Sequence, residues 1–200
     1  IEVMAREANL LVEWYAPAAG KTLSQAAAQE YDALVRNRFA GVAAARDVAV
    51  YRDYHAENLV WLPERSGRAR LGLLDYQDML IGHAAYDLAS LLEDARRDVE
   101  ADLRTTMIAR YAARRGLDRA ELTRDFDVLS AQRNLKIMGL FTRLCRRDGK
   151  ARYLELLPRV WRHLMHDLEE PSLRPLRDWI GRHIPPPDAT ATERIREAAA

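Results

Sequence analysis

The sequence has little cysteine and no long apolar run. Cys145 is the only cysteine in 200 residues, so no internal disulfide can form, and this predicts a reducing compartment. No apolar stretch approaches the roughly 20 residues that cross a bilayer, and no signal peptide opens the chain. These absences predict a cytoplasmic protein without a membrane segment.

The sequence also has no large excess of positive or of negative charge. The chain has 31 Lys and Arg and 30 Asp and Glu residues, which gives a net charge of +1, and the two signs are well mixed. This balance argues against a protein that binds nucleic acid. Hydrophobic residues make up 48% of the sequence, which is enough to bury the core of one domain or of one large lobe.

Most of the sequence has the apolar periodicity of α-helices. The segments predicted to be helical in this way lie near residues 3–15, 24–39, 88–95, 98–115, 119–147 and 151–169. We expect the segment 119–147 to form two pieces. The charged run "EDARRDVEADLR", residues 93–104, is predicted to be the solvated face of a helix, and residues 186–200 are predicted to be a poorly ordered tail.

Residues 48–75 differ from the rest of the chain because they contain short strand-like runs. Residues 48–51, 58–62 and 70–75 alternate with polar turns, and this pattern predicts a small antiparallel sheet. The predicted fold class is therefore α+β and mainly helical, with a small sheet that carries the functional residues.

The loop between the first two predicted strands contains many ionisable side chains. The stretch "VAVYRDYHAENLVWL", residues 48–62, contains neither Gly nor Pro, although turns normally use them. Asp53 and Asn58 lie near the two ends of its polar insert, and Asp75 ends the next apolar run. An amide and a carboxylate oxygen, completed by phosphate oxygens, are ligands that Mg²⁺ uses in phosphoryl-transfer sites. A separate carboxylate can accept a proton from an attacking hydroxyl, although this spacing of Asp and Asn also occurs in ordinary turns.

Asp87 is a further unusual carboxylate. On its predicted helix it lies about 40° from Leu91, next to the apolar stripe. A carboxylate in such a position is costly unless donors satisfy it, and the backbone amides of a nearby loop would do so. We therefore predict that Asp87 contacts a loop of the sheet region.

Three motifs taken together resemble a known enzyme family. The motifs "YRDYHAEN", "LLDYQD" and "GHAAYDLASLL" resemble the catalytic core of the aminoglycoside phosphotransferase and choline kinase group, whose members are protein-kinase-like kinases of small molecules. Within that group, "RDYHAENLVWLPER", "GLLDYQD" and "QRNLKIMGLFTRL" look most like the bacterial anomeric kinases for N-acetylmuramate and N-acetylglucosamine. The resemblance covers about residues 1–185 and implies a kinase C-terminal lobe, with a catalytic loop at 51–58 and a metal-binding strand end at 71–78.

The resemblance implies a role for each matching residue. Asp53 would be the catalytic base that faces the sugar hydroxyl. Asn58 and Asp75 would bind Mg²⁺ against the phosphates of ATP, and Asp87 would hold the catalytic loop through its backbone amides. Tyr51 stands where the family usually has an architectural His. Further candidates around the metal and the base are Arg52, His55, Glu57 and Asp78. Candidates for contact with an acidic sugar are Gln132, Arg133 and Lys136, whose stems could equally well reach solvent.

The resemblance also implies parts that this chain lacks. Kinases of this group bind ATP between two lobes, and the smaller lobe supplies a phosphate-contacting Lys and its Glu partner. No such lobe precedes the first predicted helix, so we expect an N-terminal lobe to be absent and this chain to have little activity alone. The expected activity is ATP-dependent phosphorylation of the anomeric hydroxyl of an amino sugar, as in peptidoglycan recycling. The alternatives are an aminoglycoside kinase, another small-molecule kinase, or a non-catalytic lobe that binds a ligand or a partner.

Overall fold

The computed structural model describes residues 1–197. Its α-helices are α1 (Glu2–Ala8), α2 (Ala16–Ala18), α3 (Gln25–Ala44), α4 (Tyr86–Leu92), α5 (Ala101–Arg115), α6 (Arg119–Asp148), α7 (Leu157–Asp167), α8 (Arg174–His183) and α9 (Ala189–Glu197). Its strands are β1 (Val48–Val50), β2 (Leu59–Trp61), β3 (Leu71–Leu73) and β4 (Leu80–Gly82). Within this part of the chain, no helix is both long enough and apolar enough to cross a membrane.

The chain divides into two compact units. The second unit comprises residues 44–126, and the first comprises residues 1–43 together with the chain from residue 127 onward. All of the strands lie in the second unit. The predicted mainly helical α+β class with small antiparallel pairing therefore describes the structure.

Aromatic side chains tie the helices of the first unit together. The fully buried Tyr31 of α3 donates its hydroxyl to the carbonyl oxygen of Ala8 at 2.9 Å. Its ring lies 4.7 Å from the ring of Trp179 in α8, and the indole of Trp179 donates to the carbonyl oxygen of Ala27 at 3.2 Å. Buried Tyr and Trp side chains normally need such partners for their polar atoms. These contacts fix α1, α3 and α8 within one core.

Helix α6 is one continuous helix, whereas the sequence predicted two pieces. Gly139 lies within this helix, and its lack of a side chain serves close packing. A Cβ placed there would clash with the backbone carbonyl of Leu10, so α6 and the segment after α1 approach each other at this glycine. The long helix persists because packing, and not local propensity, decides its length.

Replacing Gly139 by Ala is therefore expected to destabilise the first unit. The added methyl group would force the Leu10 backbone away from α6, and overpacking of this kind typically costs about 1–3 kcal/mol. Urea denaturation would measure the loss in the free energy of unfolding. The matched control is Gly41→Ala in α3, where a Cβ meets no atom within 4 Å, so that it should stabilise the helix by about 0.5–1 kcal/mol. Equal effects of the two substitutions would contradict this account.

Residues 186–200 were predicted to be a poorly ordered tail, but this segment contains helix α9. Helix α9 begins after Asp188, whose side chain accepts a hydrogen bond from the backbone N–H of Ala191 at 2.8 Å. Ile195 is fully buried, and Ala191 is buried as well. The signals that the sequence reading missed are this N-terminal cap and the apolar pair at i, i+4. Residues 198–200 lie outside the described residues.

The second unit contains two separate antiparallel ladders instead of one sheet. Strand β1 pairs with β4, with Val48 opposite Gly82, and β2 pairs with β3, with Leu59 opposite Leu73. Strand β4 was not predicted, and β1 pairs with it, whereas a single small sheet was expected over residues 48–75. Directly after β1, Arg52 has a φ of 71°, so the chain leaves the extended path there.

His83 positions the start of the helix that carries Asp87. Its Nδ1 accepts a hydrogen bond from the backbone N–H of Ala85 at 3.1 Å, and its Nε2 lies 3.1 Å from the carboxylate of Asp125. Because Nδ1 is an acceptor, Nε2 carries the proton and donates to Asp125. The imidazole thus links the N-terminus of α4 to a residue of α6 within the same unit.

Candidate functional site

The predicted base, metal ligands and loop-holding carboxylate all lie in the second unit. Asp53 and Asn58 belong to the loop after β1, Asp75 follows β3, and Asp87 lies in the first turn of α4. In the part of the chain that the structure describes, the two non-glycine residues with positive φ are Arg52 and Asp75, at 71° and 57°. Such conformations cost free energy and often occur at functional sites. The backbone conformation therefore also indicates that the loops containing Arg52 and Asp75 are functional candidates.

Asp87 accepts hydrogen bonds from the beginning of the loop. One carboxylate oxygen accepts from the backbone N–H of Tyr51 at 2.8 Å, and the other accepts from the N–H of Arg52 at 3.0 Å. The hydroxyl of Ser90, one turn further along α4, donates to the carbonyl oxygen of Arg52 at 3.5 Å. Hydrogen bonds to a carboxylate are stronger than neutral ones, and here they fix the loop where its backbone is left-handed.

Replacing Asp87 by Asn is expected to lower the stability of the protein. An amide has one acceptor oxygen, so one of the two backbone N–H groups loses its partner, which costs about 1–3 kcal/mol when the group is buried. The loss would be measured by urea denaturation. The control is Asp47→Asn, at an exposed carboxylate of the same unit, which should change the stability by less than about 0.5 kcal/mol. If both variants unfold at the same midpoint, the hydrogen bonds of Asp87 do not stabilise the loop.

Asn58 closes the other end of the loop. Its Nδ2 donates to the carbonyl oxygen of Asp53 at 2.9 Å and lies 3.5 Å from Nε2 of His55. Both contacts use the nitrogen of the amide, so its Oδ1 remains available to a cation. The loop therefore links the predicted base and the predicted amide ligand through one hydrogen bond.

The β2–β3 ladder brings Asn58 and Asp75 to the same end of a sheet. The carbonyl oxygen of Asn58 accepts a hydrogen bond from the N–H of Leu74 at 2.9 Å, and Asp75 is the next residue. Asp75 is exposed, and one of its carboxylate oxygens accepts a hydrogen bond from the side-chain amide of Gln77. Its second oxygen is free to bind an ion or a water molecule.

These two residues fit a magnesium ion that takes its other ligands from a phosphorylated substrate. An amide oxygen and a carboxylate oxygen are hard ligands, which Mg²⁺ prefers. Within residues 1–197, no three His, Cys, Asp or Glu side chains form a group that could bind a metal ion. A donor set of this kind suits an ion that keeps water molecules and phosphate oxygens in its shell.

His55 lies inside the loop and is partly buried. Burial, followed by the positive charge of Arg96, lowers the pKa of His55 below its usual value. Its Nδ1 is buried and makes no hydrogen bond in the described part of the chain. The imidazole of His55 thus contacts the amide of Asn58 within the loop, and a role in orienting the loop stays a prediction.

The other secondary candidates have different surroundings. Arg52 contributes its backbone to the loop through the bonds to Asp87 and Ser90. Glu57 forms an ion pair with Arg96, with Oε2 and Nε 2.9 Å apart. Asp78 is exposed in the segment between β3 and β4.

Two residues near the loop were missed by the sequence analysis. The run 93–104 was predicted to be a solvated helix face, but α4 ends at Leu92, and Asp94 is only 3% exposed. Asp94 and Arg96 both contact the loop. Oδ2 of Asp94 lies 3.4 Å from the backbone nitrogen of Ala56, and Nε of Arg96 lies 2.9 Å from Oε2 of Glu57. No sequence periodicity points to these contacts, because they join residues 38 and 39 positions apart.

The predicted sugar-contacting residues lie on α6 in the first unit. Gln132 is fully buried and donates to the carbonyl oxygen of Met4 at 3.1 Å. The ammonium group of Lys136 lies 3.0 Å from the carboxylate of Glu7, and Arg133 is 8% exposed. The charge of Lys136 is therefore neutralised within its own unit, and the contact of these residues with a sugar stays a prediction.

Comparison with known proteins identifies the family. The profile of the phosphotransferase enzyme family matches residues 2–123, which is more than half of the chain. A protein of Caulobacter vibrioides named N-acetylmuramate/N-acetylglucosamine kinase is 41% identical over 178 residues, which are 88% of this chain and 49% of that protein. A protein with the same name from Neisseria meningitidis serogroup B is 36% identical over 82% of this chain and 50% of its own length. Another, from Pseudomonas aeruginosa, is 34% identical over 81% of this chain and 49% of its own length. The chain spans about half the length of the curated relatives it matches, and it belongs to the phosphotransferase enzyme family.

Proposed function

We propose that this chain forms part of an ATP-dependent kinase that phosphorylates the anomeric hydroxyl of N-acetylmuramate or N-acetylglucosamine. The names of relatives that are 34–41% identical support this substrate class. The observation that carries the proposal is the 51–58 loop, in which Asp87 binds the backbone at one end and Asn58 binds Asp53 at the other. Because ATP is the donor, we propose that the reaction takes place in the cytoplasm.

Asp53 is the proposed base. Its carboxylate is exposed, so a sugar hydroxyl can approach it, while its carbonyl oxygen is held by the amide of Asn58 at 2.9 Å. The carboxylate accepts the proton of the anomeric hydroxyl as that oxygen bonds to the γ-phosphorus of ATP, and the bond to the bridging oxygen of ADP breaks. The base is thus positioned by its backbone and remains open to the substrate at its side chain.

Asn58 and Asp75 are the proposed ligands of Mg²⁺. The ion, when bound, neutralises negative charge on the phosphates of the nucleotide. The hydrogen bond from Asn58 Nδ2 to the carbonyl oxygen of Asp53 engages the nitrogen of the amide and leaves Oδ1 for the ion. The left-handed backbone of Asp75 and its contact with Gln77 orient the carboxylate where β3 ends.

The sugar-binding role of the α6 residues requires a change in their contacts. Lys136 is paired with Glu7, so an acidic sugar could bind Lys136 only if it competes with this carboxylate. A neutral sugar would need no such exchange. Gln132, Arg133 and Lys136 are proposed to contact an acidic sugar such as N-acetylmuramate once Lys136 has exchanged Glu7 for it.

The proposal is tested by measuring ADP release from the full-length protein with a panel of acceptors. The panel contains N-acetylmuramate, N-acetylglucosamine, glucosamine and several aminoglycosides. We expect ADP release that depends on the N-acetylated sugars and requires Mg²⁺. Release that depends only on aminoglycosides would assign the protein to a different substrate class, and release with no acceptor dependence would contradict the kinase proposal.

A further inference from the structure

The segment after α4 folds back onto the loop that contains Asp53 and Asn58. Asp94 is 3% exposed, and its Oδ2 accepts a hydrogen bond from the N–H of Ala56 at 3.4 Å. Its Oδ1 accepts from the backbone N–H of Arg96 at 3.0 Å and from Nη1 of the same residue at 3.3 Å. A carboxylate this deeply buried is costly unless it is well partnered, and here its partners are the loop and Arg96.

Arg96 extends the same contact to the next residue of the loop. Its Nε lies 2.9 Å from Oε2 of Glu57, while its Nη1 contacts Asp94. A guanidinium group can bind two carboxylates at once because its donors are arranged in a rigid, planar fork. Asp94 and Arg96 therefore contact two successive residues, Ala56 and Glu57, which directly precede Asn58.

These contacts provide a cap for the turn at Ala56–Asn58, which has no side-chain cap from the residue before it. It is a single 3₁₀ turn, and the residue before it, His55, gives no side-chain hydrogen bond to cap it. Short 3₁₀ segments have poor hydrogen-bond geometry and are weakly stable alone. The carboxylate of Asp94 satisfies the first N–H group of the turn from outside, in the way that a capping side chain would.

We infer that Asp94 and Arg96 are positioning residues that fix the direction in which Asn58 presents its Oδ1 to a metal ion. Asp87 fixes the loop at Tyr51 and Arg52, before Asp53, and the Asp94–Arg96 pair fixes it after Asp53. The base and the amide ligand therefore lie between two anchored points. This inference rests on the proposed function in so far as Asn58 binds a metal ion.

The first test measures the order of the loop without metal or activity. Hydrogen–deuterium exchange of the full-length, metal-free protein would be followed for a peptide that covers residues 54–60. Arg96→Ala should increase its exchange rate about tenfold, and Glu57→Gln, at a side chain that is 58% exposed, should increase it less without endangering the fold. The control is Arg97→Ala, at the exposed neighbouring residue, which should leave the rate unchanged. Wild-type exchange in the Arg96 and Glu57 variants, or equal acceleration in every peptide, would overturn the inference.

The second test measures metal affinity directly. Binding of Mn²⁺ in the presence of ATP would be followed by electron paramagnetic resonance, with Arg96→Ala and Asp94→Asn compared with the wild type. Residues that orient a metal ligand typically contribute about 10–100-fold to metal affinity, and we expect a loss of this size, with the KM for the sugar unchanged. If the wild type phosphorylates no sugar but the variants lose Mn²⁺ affinity, the proposed function fails and the inference stands. If sugar kinase activity is present and Mn²⁺ affinity does not change, the inference fails and the proposed function stands.

Discussion

Replacing Asp53 by Asn is expected to lower the kcat of the full-length protein by about 10²–10⁴, the usual contribution of a positioned proton acceptor. An amide cannot accept the proton of the sugar hydroxyl, although it has nearly the same shape as the carboxylate. The side chain of Asp53 is exposed, and the hydrogen bond that Asn58 makes is to the backbone carbonyl of residue 53. The substitution should therefore leave the loop and the KM for the sugar largely unchanged.

The measurement is steady-state turnover with an N-acetylated amino sugar, together with a urea unfolding curve of the same variant. The control is Asp102→Asn, at an exposed carboxylate in the first turn of α5, which should retain wild-type turnover. Turnover of Asp53→Asn at the wild-type rate would remove this residue from the mechanism. A loss of turnover accompanied by a comparable loss of stability would show that Asp53 is needed for the fold and not for chemistry.

The 200-residue chain on its own is expected to bind Mg²⁺–ATP no more tightly than the millimolar range, about −4 kcal/mol. It supplies an amide and a carboxylate as metal ligands, and Mg²⁺ loses its water molecules reluctantly. Phosphoryl transfer in kinases also uses a lysine that contacts the phosphates. The relatives are about twice as long as the matched region, and we expect the residues outside this chain to complete the nucleotide site.

Isothermal titration calorimetry of the chain and of the full-length protein would measure this difference. We expect micromolar binding by the full-length protein and at least a hundredfold weaker binding by the chain. Circular dichroism of the chain would show that it is folded during the experiment. Micromolar binding by residues 1–200, or ATP turnover by them that depends on a sugar, would mean that the nucleotide site lies within this chain.

The position of Asp87 shows how far the sequence could predict the site. Its place beside the apolar stripe of a helix indicated that it needs backbone donors, and the structure gives it the N–H groups of Tyr51 and Arg52. A carboxylate at the border of a core has few ways to be satisfied, so its position on the helix predicts what it contacts. The catalytic and metal-binding roles of Asp53, Asn58 and Asp75 depend on substrates, and they remain proposals.

Other features could not be predicted because they depend on contacts between distant parts of the chain. The pairing of β1 with β4 joins distant parts of the chain, and the left-handed backbone of Arg52 after β1 is not indicated by its residue type. The burial of Asp94 depends on where α4 ends and on the loop 38 residues earlier. The continuity of α6 and the close approach of Gly139 to Leu10 likewise depend on the packing of α6 against the segment after α1.

The central claim is that this chain supplies the base and the metal ligands of a kinase that phosphorylates the anomeric oxygen of an amino sugar. Phosphorus NMR of the product that the full-length protein forms from ATP and N-acetylmuramate or N-acetylglucosamine tests it most directly. We predict a sugar phosphate whose phosphorus couples to the anomeric proton and which mild acid hydrolyses, and we predict that Asp53→Asn forms it at least a hundredfold more slowly. A phosphate on any other hydroxyl, or ADP formed without a sugar phosphate, would contradict the account.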